Sequence, residues 1–80
     1  KNDYKYRMLL ILKIVKQFSE NKVFEVHAHT KNHLNQYTKL GFQFIKEIKN
    51  QKFPDAQIYL LQASRDEIIK SIEVILKNLE

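Results

Sequence analysis

The sequence contains no cysteine and no tryptophan, and it has a single glycine and a single proline. Without cysteine there can be no disulfide bond and no zinc site with thiolate ligands. The lack of cysteine also fits an intracellular protein, so we expect a cytoplasmic location. So little glycine and proline leaves no linker and no low-complexity segment, and 80 residues then predict one domain or part of one.

Long apolar runs are also missing. The longest run, from Met8 to Leu12, ends at Lys13, far short of the ~20 residues that a membrane-spanning helix needs. We therefore predict no membrane partner.

Charge of both signs is present, with a positive excess. Fourteen Lys and Arg against nine Asp and Glu give a net charge of +5. The two signs are interleaved along the chain, so the positive surface is diffuse. Such a surface attracts nucleic acid, acidic protein or a phosphorylated cofactor alike, and the charge therefore indicates a class of partner without choosing among these three.

Apolar periodicity divides the chain into six elements. They are helices at 4–20, 31–39 and 64–79, and strands at 23–28, 42–48 and 57–62. The order α-β-α-β-β-α predicts a mixed α/β (α+β) fold, with the last two strands as an antiparallel pair. The first helix is apolar almost all round, which predicts that it is covered on more than one side.

Capping residues support these boundaries. Asp3 and Thr30 are suitable N-caps for the first two helices, and Asn21 is a suitable stop for the first. Gly41 suits the left-handed position that ends the second helix. Ser64 and Glu67 have the spacing of a capping box at the start of the last helix.

The stretch from Phe24 to Phe42 contains a more specific pattern. A Phe-Glu-Val-His-Ala strand is followed by Leu34 and then by Tyr-x-Lys-x-Gly-Phe at 37–42. Together with the long helix before it and the strand pair after it, this pattern resembles the C-terminal half of the GNAT N-acetyltransferases. The resemblance implies transfer of an acetyl group from acetyl-CoA to an amine, such as a protein amine.

The resemblance also assigns roles to individual residues. Tyr37 matches the tyrosine that protonates the departing CoA thiolate, and Glu25 lies on the strand that can take the proton of the attacking amine. Lys5 and Arg7 would supply positive charge to the cofactor, and Thr30 stands where the family usually has an asparagine. From the residues alone, Tyr37 is better read as a side chain that packs beside Leu34 on the buried face of its helix, and the resemblance makes the catalytic reading equal to it. Glu25 is better read as an ordinary solvent-facing carboxylate.

The family's glycine-rich phosphate loop is not matched. Alignment of the long helix places Tyr4 and Tyr6 near the glycine positions, where bulky rings would obstruct the close approach of phosphate to the backbone. The strands that precede this half in the family also lie outside the 80 residues. We therefore expect the 80-residue chain alone to bind acetyl-CoA weakly or not at all and to be inactive. Glycines upstream of Lys1 in a longer natural chain would favour an active enzyme.

Three other readings remain open. In the first, the chain is a degenerate, non-catalytic GNAT-like structural or interaction module within a larger assembly. It can also be read as a small basic nucleic-acid-binding domain, in which Phe44 and Tyr59 stack bases on an open sheet face. Finally, three imidazoles in an H-x-H-x3-H pattern offer nitrogen ligands for zinc: His27, His29 and His33.

The last helix carries a wide apolar stripe. Ile68, Ile72, Ile75 and Leu79 recur at helical spacing, and Val74 and Leu76 extend the stripe to a second side. Leaving several such side chains in water is unfavourable. We therefore predict that this helix contacts another protein chain, a second copy of this chain, or the missing N-terminal half of its own domain.

Overall fold

The computed structural model describes residues 2–53 and 55–79. Its elements are α1 (Asn2–Lys16), β1 (Val23–Ala28), α2 (Lys31–Lys39), β2 (Gln43–Lys49), β3 (Gln57–Ser64) and α3 (Arg65–Asn78). The fold is mixed α/β, with three helices and one three-stranded antiparallel sheet, in the predicted order of elements.

Strand β3 is the centre of the sheet, in the order β1-β3-β2. Both neighbours run antiparallel to it, with Val26 and Phe44 both paired to Leu61. Strands β1 and β2 are thus parallel to each other but share no hydrogen bonds, and α2 makes the crossover between them. The register of β2 shifts between Phe44 and Lys46, which is the signature of a β-bulge.

The helices pack on one face of this sheet. The alternation of side chains along each strand directs Phe24, Val26 and Ala28 to that face, as predicted, together with Tyr59 and Leu61. The core consists of these strand residues, of Ala63 in β3, and of buried side chains from α1, from α3 and from the residue just before β2: Met8, Val15, Ile68, Ile72 and Phe42. The smallest extent of the molecule is 15 Å, which corresponds to two layers.

The opposite, open face of the sheet has no helix or strand over it among residues 2–53 and 55–79. It carries Glu25 and His27 of β1, both exposed. Leu60 of β3 is nevertheless only 7% exposed there, because it lies in the central strand, directly opposite His27 on one side and Lys46 on the other.

The predicted caps of α2 and α3 are confirmed. The Thr30 hydroxyl accepts a hydrogen bond from the His33 N–H at 3.1 Å, and Ser64 and Glu67 form the reciprocal capping box. Gly41 has φ +97°. A Cβ at Gly41 would lie 2.8 Å from the Glu67 carbonyl oxygen of α3, so the end of α2 can approach α3 only with glycine at this position.

Helix α1 differs from its prediction in three ways. It begins at Asn2, so Asp3 lies within its first turn and does not cap it. It ends at Lys16 and not at residue 20, and the Arg65 guanidinium donates a hydrogen bond to the freed Lys16 carbonyl at 3.3 Å. Beyond this end, Phe18 packs edge-on against Phe24 at 5.2 Å between ring centroids. The apolar pattern included Phe18 in the helix, but its ring packs against β1 from outside the helix. The prediction that α1 is covered on more than one side is wrong, because within residues 3–16 the buried and partly buried apolar side chains share one side of the helix: Met8, Ile11, Leu12 and Val15.

Helix α3 packs mainly within its own chain. Ile68 and Ile72 are buried and Ile75 is partly buried against the core, while Val74 and Leu79 remain exposed. The stripe predicted to need a partner is therefore largely covered by β3, α1 and the end of α2.

Candidate functional site

A cavity of about 400 Å³ lies between α1 and α2. Its walls are formed by side chains from both helices and by Leu40, which follows α2: Tyr4, Arg7, Met8, Ile11, Gln36, Lys39 and Leu40. Two of these residues are cationic and none is acidic. The volume lies in the range of roughly 300–1,000 Å³ that is usual for small-molecule sites.

A second cavity of about 260 Å³ adjoins the first, since Ile11 and Leu40 line both. Apart from Tyr37, its lining is entirely aliphatic or phenylalanine: Ile11, Ile14, Val15, Phe24, Leu40, Phe42 and Ile68. We call the two adjoining cavities together the α1–α2 groove, with a cationic end at Arg7 and Lys39 and an apolar end lined by Tyr37.

Tyr37 is positioned by its helix and by the turn that follows it. Its carbonyl oxygen accepts hydrogen bonds from the N–H groups of Leu40 and Phe42, at 3.0 and 3.1 Å. Its ring is partly buried and packs edge-on against Phe42 at 5.6 Å between centroids. Tyr37 thus belongs to the packed helix face and also lines the groove, so packing against the core and a role in the groove are compatible.

Glu25 lies away from the groove. It is exposed on the open face of the sheet, accepts a hydrogen bond from the Gln62 amide at 3.0 Å, and has a carboxylate oxygen 3.8 Å from His27 Nε2. Its neighbour Phe24 points to the helix side and lines the cavity with Tyr37. The structure therefore places the two predicted catalytic residues on opposite faces of the sheet.

The three predicted cofactor contacts fall in three different environments. Arg7 lines the groove, with its guanidinium carbon 5.9 Å from the centroid of the Tyr4 ring. Lys5 is exposed and is not among the residues that line the groove. The Thr30 hydroxyl is engaged in capping α2. Tyr4 lines the groove, whereas Tyr6 is 67% exposed and is not among the lining residues.

Two groove residues were missed by the sequence reasoning, Gln36 and Lys39. With Leu40, they occur at i, i+3 and i+4, the spacing that places residues on one face of a helix. That spacing could have identified them together, but it does not reveal that this face meets α1.

The structure bears on two of the alternative readings. Within residues 2–53 and 55–79, no three His, Cys, Asp or Glu side chains lie close enough to hold a metal ion, so the three histidines are not brought together as a zinc site. Tyr59 is buried at 6% exposure with its hydroxyl donating to Gln57, and Phe44 packs against it. Tyr59 faces the core and is not available to stack on a base.

Comparison of the chain with protein-family models, with curated proteins and with solved structures gives no match.

Proposed function

We propose that this chain is the cofactor-binding, C-terminal half of an acetyl-CoA-dependent N-acetyltransferase. The observation that carries the proposal is the α1–α2 groove, which joins a cationic end to an apolar end containing the tyrosine that the resemblance selects. When bound, acetyl-CoA would supply the activated acetyl group.

The groove suits a ligand that is anionic at one end and less polar at the other. Arg7 and Lys39 come from different helices and offer charge-assisted hydrogen bonds to phosphate oxygens. The apolar cavity would take the less polar part of the ligand beside Tyr37, whose hydroxyl would donate its proton to the departing thiolate.

Tyr4 limits how tightly this groove can hold phosphates. In a glycine-rich loop, backbone N–H groups make the contacts, whereas here the cationic side chains Arg7 and Lys39 stand beside a tyrosine ring. Flexible side chains lose conformational freedom on binding. This supports the prediction that the 80-residue chain binds acetyl-CoA weakly.

An NMR titration with acetyl-CoA tests the proposal, since it detects weak binding. We expect amide shifts centred on Tyr4, Arg7, Gln36 and Lys39, and we expect the double substitution Arg7→Ala, Lys39→Ala to abolish them. Lys70→Ala, which removes an exposed lysine from α3, is the matched control and should bind like the unmodified chain. Absence of any shift at millimolar ligand, or shifts confined to other surfaces, would refute the groove as the cofactor site.

A second candidate, a non-catalytic module of the same fold, is favoured by the position of Glu25. With Glu25 and Tyr37 on opposite faces of the sheet, the groove contains Tyr37 but no carboxylate among its lining residues. This candidate predicts acetyl-CoA binding without release of free thiol in the presence of peptide amines, also in a longer chain that supplies the preceding strands. The 80-residue chain alone is expected to be inactive under either candidate. Thiol release that is lost on Tyr37→Phe, with binding retained, would instead establish an enzyme.

A further inference from the structure

The side of α1 that faces away from the core is apolar. Its residues, together with Phe18 just beyond the helix, are between 41% and 67% exposed. They are Tyr6, Leu9, Leu10, Ile14 and Phe18, and we call them the α1 outer face. Ile14 and Phe18 lie at its edge, since Ile14 also lines the second cavity and Phe18 packs against Phe24. The four residues within the helix recur at i, i+3, i+4 and i+8, so they form one strip and not scattered exposed residues.

Cations surround this strip. Lys5, Arg7, Lys13 and Lys16 are all exposed, and Asp3 is the only acidic residue of α1. In the part of the chain that the structure describes, none of these four cations takes part in an ion pair. Near the end of the strip, the Lys22 ammonium lies 5.8 Å from the centroid of the Phe18 ring. The α1 outer face is thus an apolar strip with an unneutralised positive border.

Charge distinguishes between kinds of partner better than area does. Taking about 200 Å² for a fully exposed large apolar side chain, the strip presents about 500 Å². A stable protein–protein interface uses about 800 Å² on each partner, of which somewhat more than half is apolar, so area alone excludes neither a protein nor a lipid partner. A second copy packed face to face would bring like charges together, which opposes association, whereas an anionic surface would neutralise the positive border.

We propose that the α1 outer face binds the surface of an anionic lipid bilayer. The helix would lie in the plane of the interface, with Tyr6, Leu10 and Ile14 at the boundary between headgroups and acyl chains. The lysines would then contact lipid phosphates and carboxylates, as in other basic amphipathic helices. The opposite side of α1 keeps Met8 and Val15 in the core, so the domain can remain folded while bound.

This proposal goes beyond the proposed enzymatic function. The earlier prediction of no membrane partner rested on the lack of a long apolar run. Among the described residues there is indeed no helix long and apolar enough to cross a bilayer. A helix that lies in the plane of the interface does not need that length.

Co-sedimentation of the full chain with vesicles tests the proposal. The vesicles are pure phosphatidylcholine, or phosphatidylcholine with about one third phosphatidylserine, at about 0.1 M and about 0.5 M salt. We expect binding to the anionic vesicles at low salt and much weaker binding to neutral vesicles or at high salt. Leu10→Asn should weaken this binding about tenfold, and Lys13→Gln about fivefold.

The matched control is Val74→Asn, because Val74 of α3 is 58% exposed and Leu10 is 57% exposed. Val74→Asn should leave vesicle binding unchanged, and circular dichroism should show that every variant remains folded. Lys39→Ala and Tyr37→Phe should also leave vesicle binding unchanged, which separates this proposal from that of the cofactor groove. The proposal is overturned by equal binding to neutral vesicles, by equal effects of Leu10→Asn and Val74→Asn, or by no vesicle binding. It is also overturned if sedimentation instead shows self-association that Leu10→Asn abolishes.

Discussion

Helices α1 and α3 are nearly equal in length, with fifteen and fourteen residues, and they pack against each other. Their apolar residues are distributed differently. In α3 the side chains of Ile68 and Ile72 are fully buried and the outer side is mostly charged. In α1 apolar residues continue round to the solvent side, at Tyr6 and Leu10.

The difference shows that an apolar pattern does not by itself locate an interface. The wide stripe of α3 suggested an unpartnered surface, yet this chain covers most of that stripe. The all-round pattern of α1 suggested a helix enclosed by its own domain, yet only one side of it is covered. The apolar residues of α3 therefore serve mainly the core of this chain, whereas the outer face of α1 stays exposed to solvent.

The largest effect expected from this comparison is on stability. Ile72 of α3 is fully buried, so Ile72→Ala should lower the free energy of unfolding by about 3 kcal/mol, through lost burial and the cavity left behind. Leu10→Ala on α1 should change it by less than about 0.5 kcal/mol, because Leu10 is mostly exposed. Urea denaturation followed by circular dichroism measures both values. Similar losses for the two variants would mean that α1 is covered on its outer side in solution.

A smaller loss is expected where α2 ends against α3. Gly41→Ala should destabilise the protein by about 2 kcal/mol, because alanine disfavours φ +97° and its Cβ would clash with α3. The same denaturation experiment measures the loss.

The clash has two parts that can be separated. The Cβ would lie 2.6 Å from the Ser71 hydroxyl and 2.8 Å from the Glu67 carbonyl oxygen. Adding Ser71→Ala to Gly41→Ala removes only the first contact, so it should restore part of the stability. Full restoration would show that the backbone conformation at Gly41 and the Glu67 carbonyl contact contribute little.

The smallest effect concerns the capping box, which α3 has at its first turn. Ser64 N–H donates to the Glu67 carboxylate at 3.0 Å, and Glu67 N–H donates to the Ser64 hydroxyl at 3.2 Å. Ser64→Ala should cost about 1 kcal/mol of stability. A loss near zero would mean that water replaces the cap without cost.

The same cap should give the protein a dependence on acid. The Ser64 backbone N–H, and after it the Ser64 hydroxyl, lower the pKa of Glu67 below its ordinary value of 4.5. The folded state thus holds the Glu67 proton less tightly than the unfolded state does. This contribution is present above pH 4.5 and is lost as the pH falls below 4.5 through the folded pKa. With Glu67→Gln, the melting temperature should fall less steeply as the pH is lowered through that acid range. The control Glu73→Gln, at an exposed position of α3, should leave this pH dependence unchanged.

Much of the fold was predictable because the signals were local. Thr30, Gly41 and Ser64 each fix a helix end through contacts within a few residues, and all three were confirmed. The end of α1 was not predictable from local signals, because the Lys16 carbonyl at this end accepts a hydrogen bond from Arg65, which is distant in sequence. The position of Tyr59 in the core likewise depends on which face of the sheet the helices cover.

The candidate site was predictable only in part. Tyr37 and Arg7 were selected from the sequence and both line the groove. Lys39 and Gln36 join them only because α2 lies beside α1, and Glu25 is excluded only because alternation along β1 turns it to the open face. Contacts between elements decide these cases, and the sequence pattern describes each element separately.

The central position of β3 has a consequence for how the chain folds. Strands β1 and β2 precede it in the sequence, and among residues 2–53 and 55–79 each is paired with β3 and not with the other. The pairing of these three strands therefore waits until residues 57–64 have been synthesised, and β1 must then pair with a strand that begins 29 residues after its own end. Closing such a loop costs entropy before any contact offsets it. The three strands should consequently pair in a single cooperative event after β3 has been made, whereas α1 and α2 can form earlier from local contacts.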